Sequence, residues 1–255
     1  MGFGSWLDGK KIKNALNNRD LSYELDSDKN YDVNKLISKN FSFTPGAKRL
    51  YFFMSGWYED PKHTRFLKRK IIRKGDSYIQ YTFEKWILTS NVIQVVKNFK
   101  HIRKEFLKDI KMFDGEIDII GVSLGGIAGY MCANSSPKVS KLISLVPGDR
   151  LSQAVFEGIR TSHIGNKIKN DGIPLEKLKK IWREIEPINN LKNFENKSIL
   201  IFNSKDDKII PYDRSLNLIK EVLKKNIRCE IHTNRYLGHF GTVFKFYLPF
   251  NKYLS

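Results

Sequence analysis

Short apolar runs alternate with longer amphipathic segments along most of this 255-residue chain. Runs of roughly four to eight apolar or β-branched residues are typical of buried strands. They occur at 49–54, 77–81, 117–120, 139–146 and 198–203, and a more polar strand is predicted at 228–233. Between residues 90 and 111 apolar residues recur instead at three- and four-residue steps, which predicts a helix with one buried face. A second, strongly basic helix is predicted near 62–73.

The order of these segments predicts the fold class. Strands that alternate with helices favour an α/β domain with a mostly parallel sheet, right-handed crossovers and helices on both faces. The chain length and the 41% content of hydrophobic residues fit one such domain. Residues 1–46 are expected to form an N-terminal leader with one or two early strands, ending at the turn 44–46.

The segment 117–126 carries the most specific motif in the chain. An apolar run leads into Gly121-Val122-Ser123-Leu124-Gly125, a Gly-x-Ser-x-Gly pattern, and small residues then recur at helical spacing. This is the strand–turn–helix context of a nucleophile elbow, in which glycines permit a sharp turn and the serine hydroxyl projects from the sheet edge. Gly126 is expected to let the helix approach the sheet. The pattern predicts Ser123 as a nucleophile.

A carboxylate and a histidine follow in chain order. Strand 198–203 leads to a turn that contains Asp206 and Asp207, and strand 228–233 precedes the run Gly238-His239-Phe240-Gly241. A serine nucleophile needs a base to take its proton and an acid to hold the imidazole. Serine, aspartate and histidine, each just past a separate strand, therefore strengthen the motif.

Each of these residues also has a purely structural interpretation. The serine could stand in an ordinary tight turn. Either aspartate could cap the helix that follows, and capping is the favoured interpretation of Asp206. His239 could be a surface histidine. His232 is the rival base, but it lies inside a strand pattern, which favours a structural role.

These motifs resemble those of α/β-hydrolases, over about residues 47–247. The turn 206–211, Asp-Asp-Lys-Ile-Ile-Pro, and the Gly-His-Phe run at 238–240 resemble the acid and histidine loops of that family. The resemblance implies an α/β-hydrolase fold, with Asp207 as the acid and His239 as the base. It also implies nucleophilic acyl transfer through an acyl-Ser123 intermediate.

The same resemblance implies an oxyanion hole made of two backbone N–H groups. One is that of Leu124, the residue after the nucleophile. The other comes from the loop after strand 49–54, where Trp57 is the expected donor. The chain departs from the usual pattern here, because Ser55-Gly56 stands where many relatives carry His-Gly. Ser204, where glycine is common, is a milder departure.

Between Pro147 and about residue 196 the alternation of strands and helices lapses. Two helical patterns, near 151–165 and 174–185, fill the gap. In α/β-hydrolases this insertion point commonly holds a cap over the active site. We therefore expect the core to comprise 47–147 and 197–255, with a small helical cap at 148–196. Phe156, Ile159 and Trp182 are expected either to line an acyl-binding pocket or to pack the cap on the core.

Positive charge is the second unusual property. The chain has 45 Lys and Arg residues against 27 Asp and Glu, a formal net charge of +18. Residues 62–74 alone carry seven Lys or Arg residues and no acidic residue. Such a segment could attract an anionic ligand, a lipid surface or nucleic acid, although a solvated face is the simpler interpretation. Nucleic acid is the weakest candidate, because no known nucleic-acid-binding motif accompanies the charge.

The remaining composition adds little chemistry. The amino terminus lacks the apolar stretch of a signal peptide, and no run approaches the roughly 18 apolar residues of a membrane span, so a cytoplasmic enzyme is expected. Cys132 and Cys229 stand in no metal-binding or redox motif, and neither a metal nor a cofactor is expected. Nothing in the sequence fixes the oligomeric state.

Two classes of function follow. The first is a serine hydrolase that acts on a small acyl ester or thioester; a peptidase or an acyltransferase would use the same triad. The second is a non-catalytic protein on the same scaffold that binds an anionic ligand, a lipid surface or a partner, since fold does not fix function. All three triad residues are present, which favours the enzyme.

Overall fold

A seven-stranded sheet forms the centre of residues 29–247, the part of the chain that the computed structural model describes. Its strands are β1 (Ile37–Ser42), β2 (Arg49–Met54), β3 (Ser77–Phe83), β4 (Glu116–Val122), β5 (Val139–Leu145), β6 (Ser198–Ser204) and β7 (Arg228–Asn234). The order across the sheet is β1-β3-β2-β4-β5-β6-β7. Strand β1 pairs antiparallel with β3, and all other pairings are parallel. The leader is described only from residue 29 onward.

Eight α-helices accompany these strands within residues 29–247. They are α1 (Arg65–Arg73), α2 (Val92–Asp109), α3 (Leu124–Ser135), α4 (Leu151–Glu157), α5 (Ser162–Asn170), α6 (Leu175–Ile181), α7 (Tyr212–Lys224) and α8 (Gly238–Tyr247). The long predicted helix starts at Val92 because the Asn91 side chain accepts the N–H of Gln94 and so caps it. The basic helix starts at Arg65, later than predicted, after a 3-10 turn at Pro61–Thr64.

Helices cover both faces of the sheet. Because successive strand residues point to opposite faces, Phe52 and Phe53 of β2 belong to different apolar cores. Helices α1 and α8 pack over the core that contains Phe53, and α2, α3 and α7 pack over the one that contains Phe52. The mostly parallel α/β architecture predicted from the sequence is confirmed. Parallel strands place their carboxyl ends at one edge, where loops from different strands can meet.

The segment between β5 and β6 contains three α-helices, α4 to α6, where the sequence pattern suggested two. The first pattern is interrupted after Glu157 because the chain folds back tightly. A Cβ on Gly158 would lie 2.2 Å from the carbonyl oxygen of Ala154. The Thr161 hydroxyl donates to that same carbonyl at 2.7 Å. The chain then turns and starts α5 at Ser162.

Candidate active site

Ser123 occupies the sharp turn between β4 and α3. Its backbone has φ +51° and ψ −113°, a conformation that costs a non-glycine residue roughly 1–3 kcal/mol. Its N–H donates to the carbonyl of Leu145 at 2.9 Å, which ties the turn to the end of β5. Ser123 is partly exposed, whereas Val122 and Leu124 beside it are buried. The turn therefore presents the one hydroxyl of this stretch at the sheet edge.

Two glycines make this turn sterically feasible. A Cβ on Gly121 would lie 2.6 Å from the Cα of Gly126, and a Cβ on Gly125 would lie 2.2 Å from the carbonyl oxygen of Met54. Real Cβ atoms do not come this close to backbone atoms. Gly126 differs, because the nearest atom to a Cβ there would be the Ser144 hydroxyl at 3.4 Å. The helix does come close to the sheet at Gly126, but a Cβ there would meet only ordinary contacts, so the steric requirement for glycine falls on Gly121 and Gly125.

Asp207 and His239 form a buried pair. Oδ2 of Asp207 lies 2.8 Å from Nδ1 of His239, and the side chains are 3% and 4% exposed, respectively. The other oxygen of Asp207 accepts the N–H groups of Ile209 and Ile210, both at 2.8 Å. The carboxylate is thereby fixed by its own loop. A carboxylate on Nδ1 directs the opposite nitrogen, Nε2, toward base chemistry.

Asp206 does not cap the helix that follows it, as the sequence pattern favoured. Its Oδ1 accepts the Ser204 hydroxyl at 2.6 Å and the backbone N–H of Gly238 at 2.8 Å. Gly238 has φ +60° and begins α8, directly before His239. Helix α7 starts after Pro211 without a side-chain cap, so the interpretation of Asp206 as its cap is wrong. Asp206 and Ser204 instead hold the start of the histidine helix against the end of β6.

The loop after β2 lies against the elbow. A Cβ on Gly56 would lie 3.5 Å from the carbonyl oxygen of Val122, the residue before Ser123. The Gly56 N–H donates to Oε2 of Glu59 at 2.6 Å, and Oε1 of Glu59 accepts the hydroxyl of Tyr247 at 3.1 Å. Glu59 therefore links this loop to α8, the helix that carries His239. No local pattern in the sequence marks Glu59, because its acceptor role depends on a residue 188 positions away.

The two expected oxyanion donors are the backbone N–H groups of Leu124 and Trp57, which lie close in sequence to the contact between Val122 and Gly56. Leu124 is the first residue of α3. The first N–H groups of a helix have no partner within the helix, and they form its positive end. Trp57 follows Gly56 in the loop. Its indole is 9% exposed and donates to the carbonyl of Lys85 at 2.9 Å, which fixes the side chain and with it the backbone beside the elbow.

Backbone strain concentrates at the same sheet edge. Within residues 29–247, four non-glycine residues have positive φ: Tyr58, Ser123, Val146 and Asn226. The first three follow the carboxyl ends of β2, β4 and β5. Strained non-glycine residues are typical of functional sites, where the surrounding structure holds them in place. The strain thus marks the edge that also carries Asp207 and His239.

His232, the rival base, lies on β7. Its Nε2 is 2.7 Å from Oε1 of Glu230 in the same strand, and its ring stacks on Phe202 with centroids 4.7 Å apart. It is therefore held by contacts within the sheet.

The three candidate pocket residues of the cap lie in different environments. Trp182 is fully buried, and its indole donates to the carbonyl of Val92 at 2.9 Å, so it packs the cap segment onto α2. Phe156 is partly buried against the core, and Ile159 is 54% exposed. Segment 148–196 reaches the loop after β2 through Arg160, whose guanidinium lies 5.8 Å from the ring centroid of Tyr58.

Residues 29–247 contain neither a metal-binding cluster nor a helix that could span a membrane. No group of three or more His, Cys, Asp or Glu side chains is arranged to hold a metal ion in that range. No helix there is long and apolar enough to cross a bilayer.

The part of the chain that forms this sheet edge matches a known protein family. The sequence matches the model of the prolyl oligopeptidase family (Peptidase_S9) over residues 73–246, a range that includes the elbow and the loops of Asp207 and His239. The chain belongs to the prolyl oligopeptidase family. This family is one of serine hydrolases within the α/β-hydrolase superfamily, as the motifs predicted. No curated protein matches the sequence.

Solved structures share the fold of this prolyl oligopeptidase family member. Est1E from Butyrivibrio proteoclasticus with bound ferulic acid has a TM-score of 0.62 at 15% identity, over 87% of this chain and 97% of Est1E. A putative esterase from Staphylococcus aureus has a TM-score of 0.61 at 13% identity, over 98% and 90%. Pyrococcus horikoshii acylaminoacyl peptidase has a TM-score of 0.60 at 18% identity; 89% of this chain aligns with only 40% of that protein. At identities this low, the similarity shows a shared fold and nothing more.

Proposed function

We propose that the chain cleaves a small carboxylic ester or thioester through an acyl-Ser123 intermediate. The observation that carries the proposal is the buried pair of Asp207 and His239 on the sheet edge from which Ser123 projects. A buried carboxylate on Nδ1 keeps the imidazole in the tautomer that can accept a proton at Nε2. The strained elbow supplies the hydroxyl from which that proton is taken.

The proposed reaction has two steps. His239 Nε2 takes the Ser123 proton as Oγ attacks the substrate carbonyl carbon, and the N–H groups of Leu124 and Trp57 bind the oxyanion. Collapse of the tetrahedral intermediate breaks the bond to the alkoxide or thiolate, which takes the proton from His239. Water then attacks the acyl-serine with His239 again as the base. This releases the carboxylic acid and restores the Ser123 hydroxyl.

Similarity in fold to Est1E and to the staphylococcal putative esterase supports an ester substrate. A peptide substrate is the second candidate, because the family model is that of prolyl oligopeptidase and an acylaminoacyl peptidase shares the fold. The triad chemistry is the same for both. An amine leaving group differs in depending fully on protonation by His239, whereas a thiolate or an activated alkoxide leaves more readily.

The first experiment is labelling with a fluorophosphonate probe, which reacts only with an activated serine. Wild type is expected to be labelled, and Ser123→Ala is expected to lose the label while retaining its fold by circular dichroism. His239→Ala and His232→Ala form a matched pair, since each histidine contacts a carboxylate, at 2.8 and 2.7 Å. Only His239→Ala should abolish labelling. Loss with His232→Ala instead would overturn the base assignment.

The second experiment separates ester from peptide cleavage. p-Nitrophenyl esters, acyl thioesters and p-nitroanilides with matched acyl groups are compared by kcat/KM. Preference for the esters and thioesters by more than a hundredfold is expected. Preference for acyl-aminoacyl anilides would favour the peptidase. A well-folded protein that neither reacts with the probe nor turns over any substrate would favour the non-catalytic alternative.

A further inference from the structure

The outward side of α1 is a basic stripe with an aromatic residue in it. Residues three, four and seven apart lie on one face of a helix. Arg65, Arg69 and Arg73 follow one another at four-residue steps, and Phe66 lies three residues before Arg69 and seven before Arg73. All four are exposed, Phe66 at 53%. We call these four residues the α1 stripe. Residues 62–74 contain no acidic side chain that would neutralise it from the same segment.

The rest of α1 holds the stripe in position. Leu67 and Ile71 are 1% and 0% exposed and anchor the helix to the sheet core. Lys68 reaches sideways and donates to Oδ1 of Asn40 on the edge strand β1 at 2.7 Å. Lys70 places its ammonium 4.4 Å from the ring centroid of Phe66, which orients the ring within the positive surface. The stripe is therefore a rigid, outward-facing surface.

We propose that the α1 stripe docks this protein on an anionic lipid bilayer. Three arginines on one face attract acidic headgroups, and a guanidinium suits bidentate binding of a lipid phosphate. An exposed phenylalanine among them is disfavoured in water, but it can insert into the boundary between headgroups and acyl chains. A helix anchored on its opposite side by a folded core can lie flat on such a surface without unfolding.

The comparison with α2 supports the aromatic part of the inference. The outward side of α2 carries exposed lysines at 97, 104 and 108, but Glu105 and Asp109 lie on the same helix and bind Lys39 at 2.7 and 2.9 Å. No exposed aromatic residue lies among those lysines. Positive charge is thus shared by both helices, whereas three arginines on one face together with an exposed ring distinguish α1 from α2.

Vesicle flotation tests the proposal with the full chain. Binding is expected to vesicles that contain phosphatidylglycerol in phosphatidylcholine, and not to phosphatidylcholine alone. The triple variant Arg65→Gln, Arg69→Gln, Arg73→Gln should weaken binding by about a hundredfold, since each basic residue contributes at the surface. Phe66→Ala leaves the charge unchanged and should weaken binding by about tenfold through lost apolar burial.

Matched controls exclude a mere effect of net charge. The variant Lys97→Gln, Lys104→Gln, Lys108→Gln removes the same charge from α2, and Phe244→Ala removes a ring that is 64% exposed on α8. Both should bind vesicles within about threefold of wild type.

Equal loss in the α2 variant, no loss with Phe66→Ala, or no binding to anionic vesicles would each overturn the proposal. So would binding of a single-stranded oligonucleotide that depends on the stripe in the absence of vesicle binding. Probe labelling of Ser123 is a separate readout, so failure here leaves the proposed hydrolase unaffected.

Discussion

Asp207 contacts His239 with one carboxylate oxygen and its own loop with the other. Oδ2 lies 2.8 Å from Nδ1 of His239, while Oδ1 accepts two backbone N–H groups of the loop. The preceding residue, Asp206, binds Ser204 and the backbone of Gly238 instead. Two adjacent carboxylates thus have separate tasks: one orients the imidazole, and the other positions the helix that carries it. Because the two aspartates are adjacent but contact different groups, the same substitution at each position can be compared.

Asp207→Asn is expected to lower kcat by about 10³- to 10⁴-fold, whereas Asp206→Asn should lower it less than tenfold. An amide at 207 would donate to Nδ1 and leave the proton on Nε2, where it blocks removal of the Ser123 proton. An amide at 206 still offers an oxygen to Ser204 and Gly238. Steady-state kinetics on the best ester from the substrate panel measures both. A larger loss for Asp206→Asn would show that the acid had been assigned to the wrong residue.

Gly125→Ala and Gly126→Ala are expected to behave in opposite ways, although they are adjacent. A Cβ at 125 would overlap the backbone of Met54, which is fixed in the central strand β2, so the free energy of unfolding should fall by about 3 kcal/mol or more. A Cβ at 126 meets only ordinary contacts, and alanine favours the helix by up to about 1 kcal/mol. Urea unfolding of both variants provides the measurement. Equal stability of the two variants would contradict the steric argument.

The elements that could be predicted are those with local causes. The strand 49–54 has its predicted bounds because its apolar run is uninterrupted. The elbow could be predicted because its glycines have a local steric role. The break at Gly158 depends on a hydrogen bond from Thr161 that spacing alone does not encode.

Contacts between distant segments could not be predicted. Trp182 is buried because its indole meets Val92, 90 residues earlier, and the sequence left open whether it would line a pocket or pack the cap. Asp206 binds the start of α8 because β6 and β7 pair side by side, whereas local sequence favoured a helix cap. Hydrogen-bonding side chains near turns have several local partners available, and the tertiary fold decides among them.

Asp118 is expected to make stability depend on pH. It lies near the start of β4 and is 1% exposed. Arg49 contacts one of its oxygens at 3.3 Å, while the other has no hydrogen-bond partner among residues 29–247. Burial raises the pKa of Asp118 from 3.8 to about 6, against the opposing charge of Arg49. The folded state therefore holds this proton more tightly than the unfolded state. The favourable contribution is complete below about pH 4 and is lost as the pH rises through about 6.

Asp118→Asn should therefore gain stability relative to wild type as the pH rises. The difference in unfolding free energy between the two proteins is expected to change by roughly 2–3 kcal/mol from pH 4 to pH 8. Glu116→Gln is the control, because Glu116 contacts the same Arg49 at 2.7 Å but is 60% exposed. Its effect should be small at both pH values. A pH-independent difference for Asp118→Asn would show that its carboxyl is not proton-bound near pH 5.

Glu59→Ala is expected to lower kcat by about ten- to a hundredfold with little change in KM. Glu59 accepts the Gly56 N–H at 2.6 Å and the Tyr247 hydroxyl at 3.1 Å, and so sets the backbone that leads to Trp57. An oxyanion donor acts mainly in the transition state, so its displacement reduces kcat rather than substrate binding. Glu59→Gln keeps an acceptor for Gly56 and a polar partner for Tyr247, and should restore most of kcat. If Glu59→Ala kept wild-type kcat and lost only thermal stability, the link would be structural, and the second oxyanion donor would have to be positioned without Glu59.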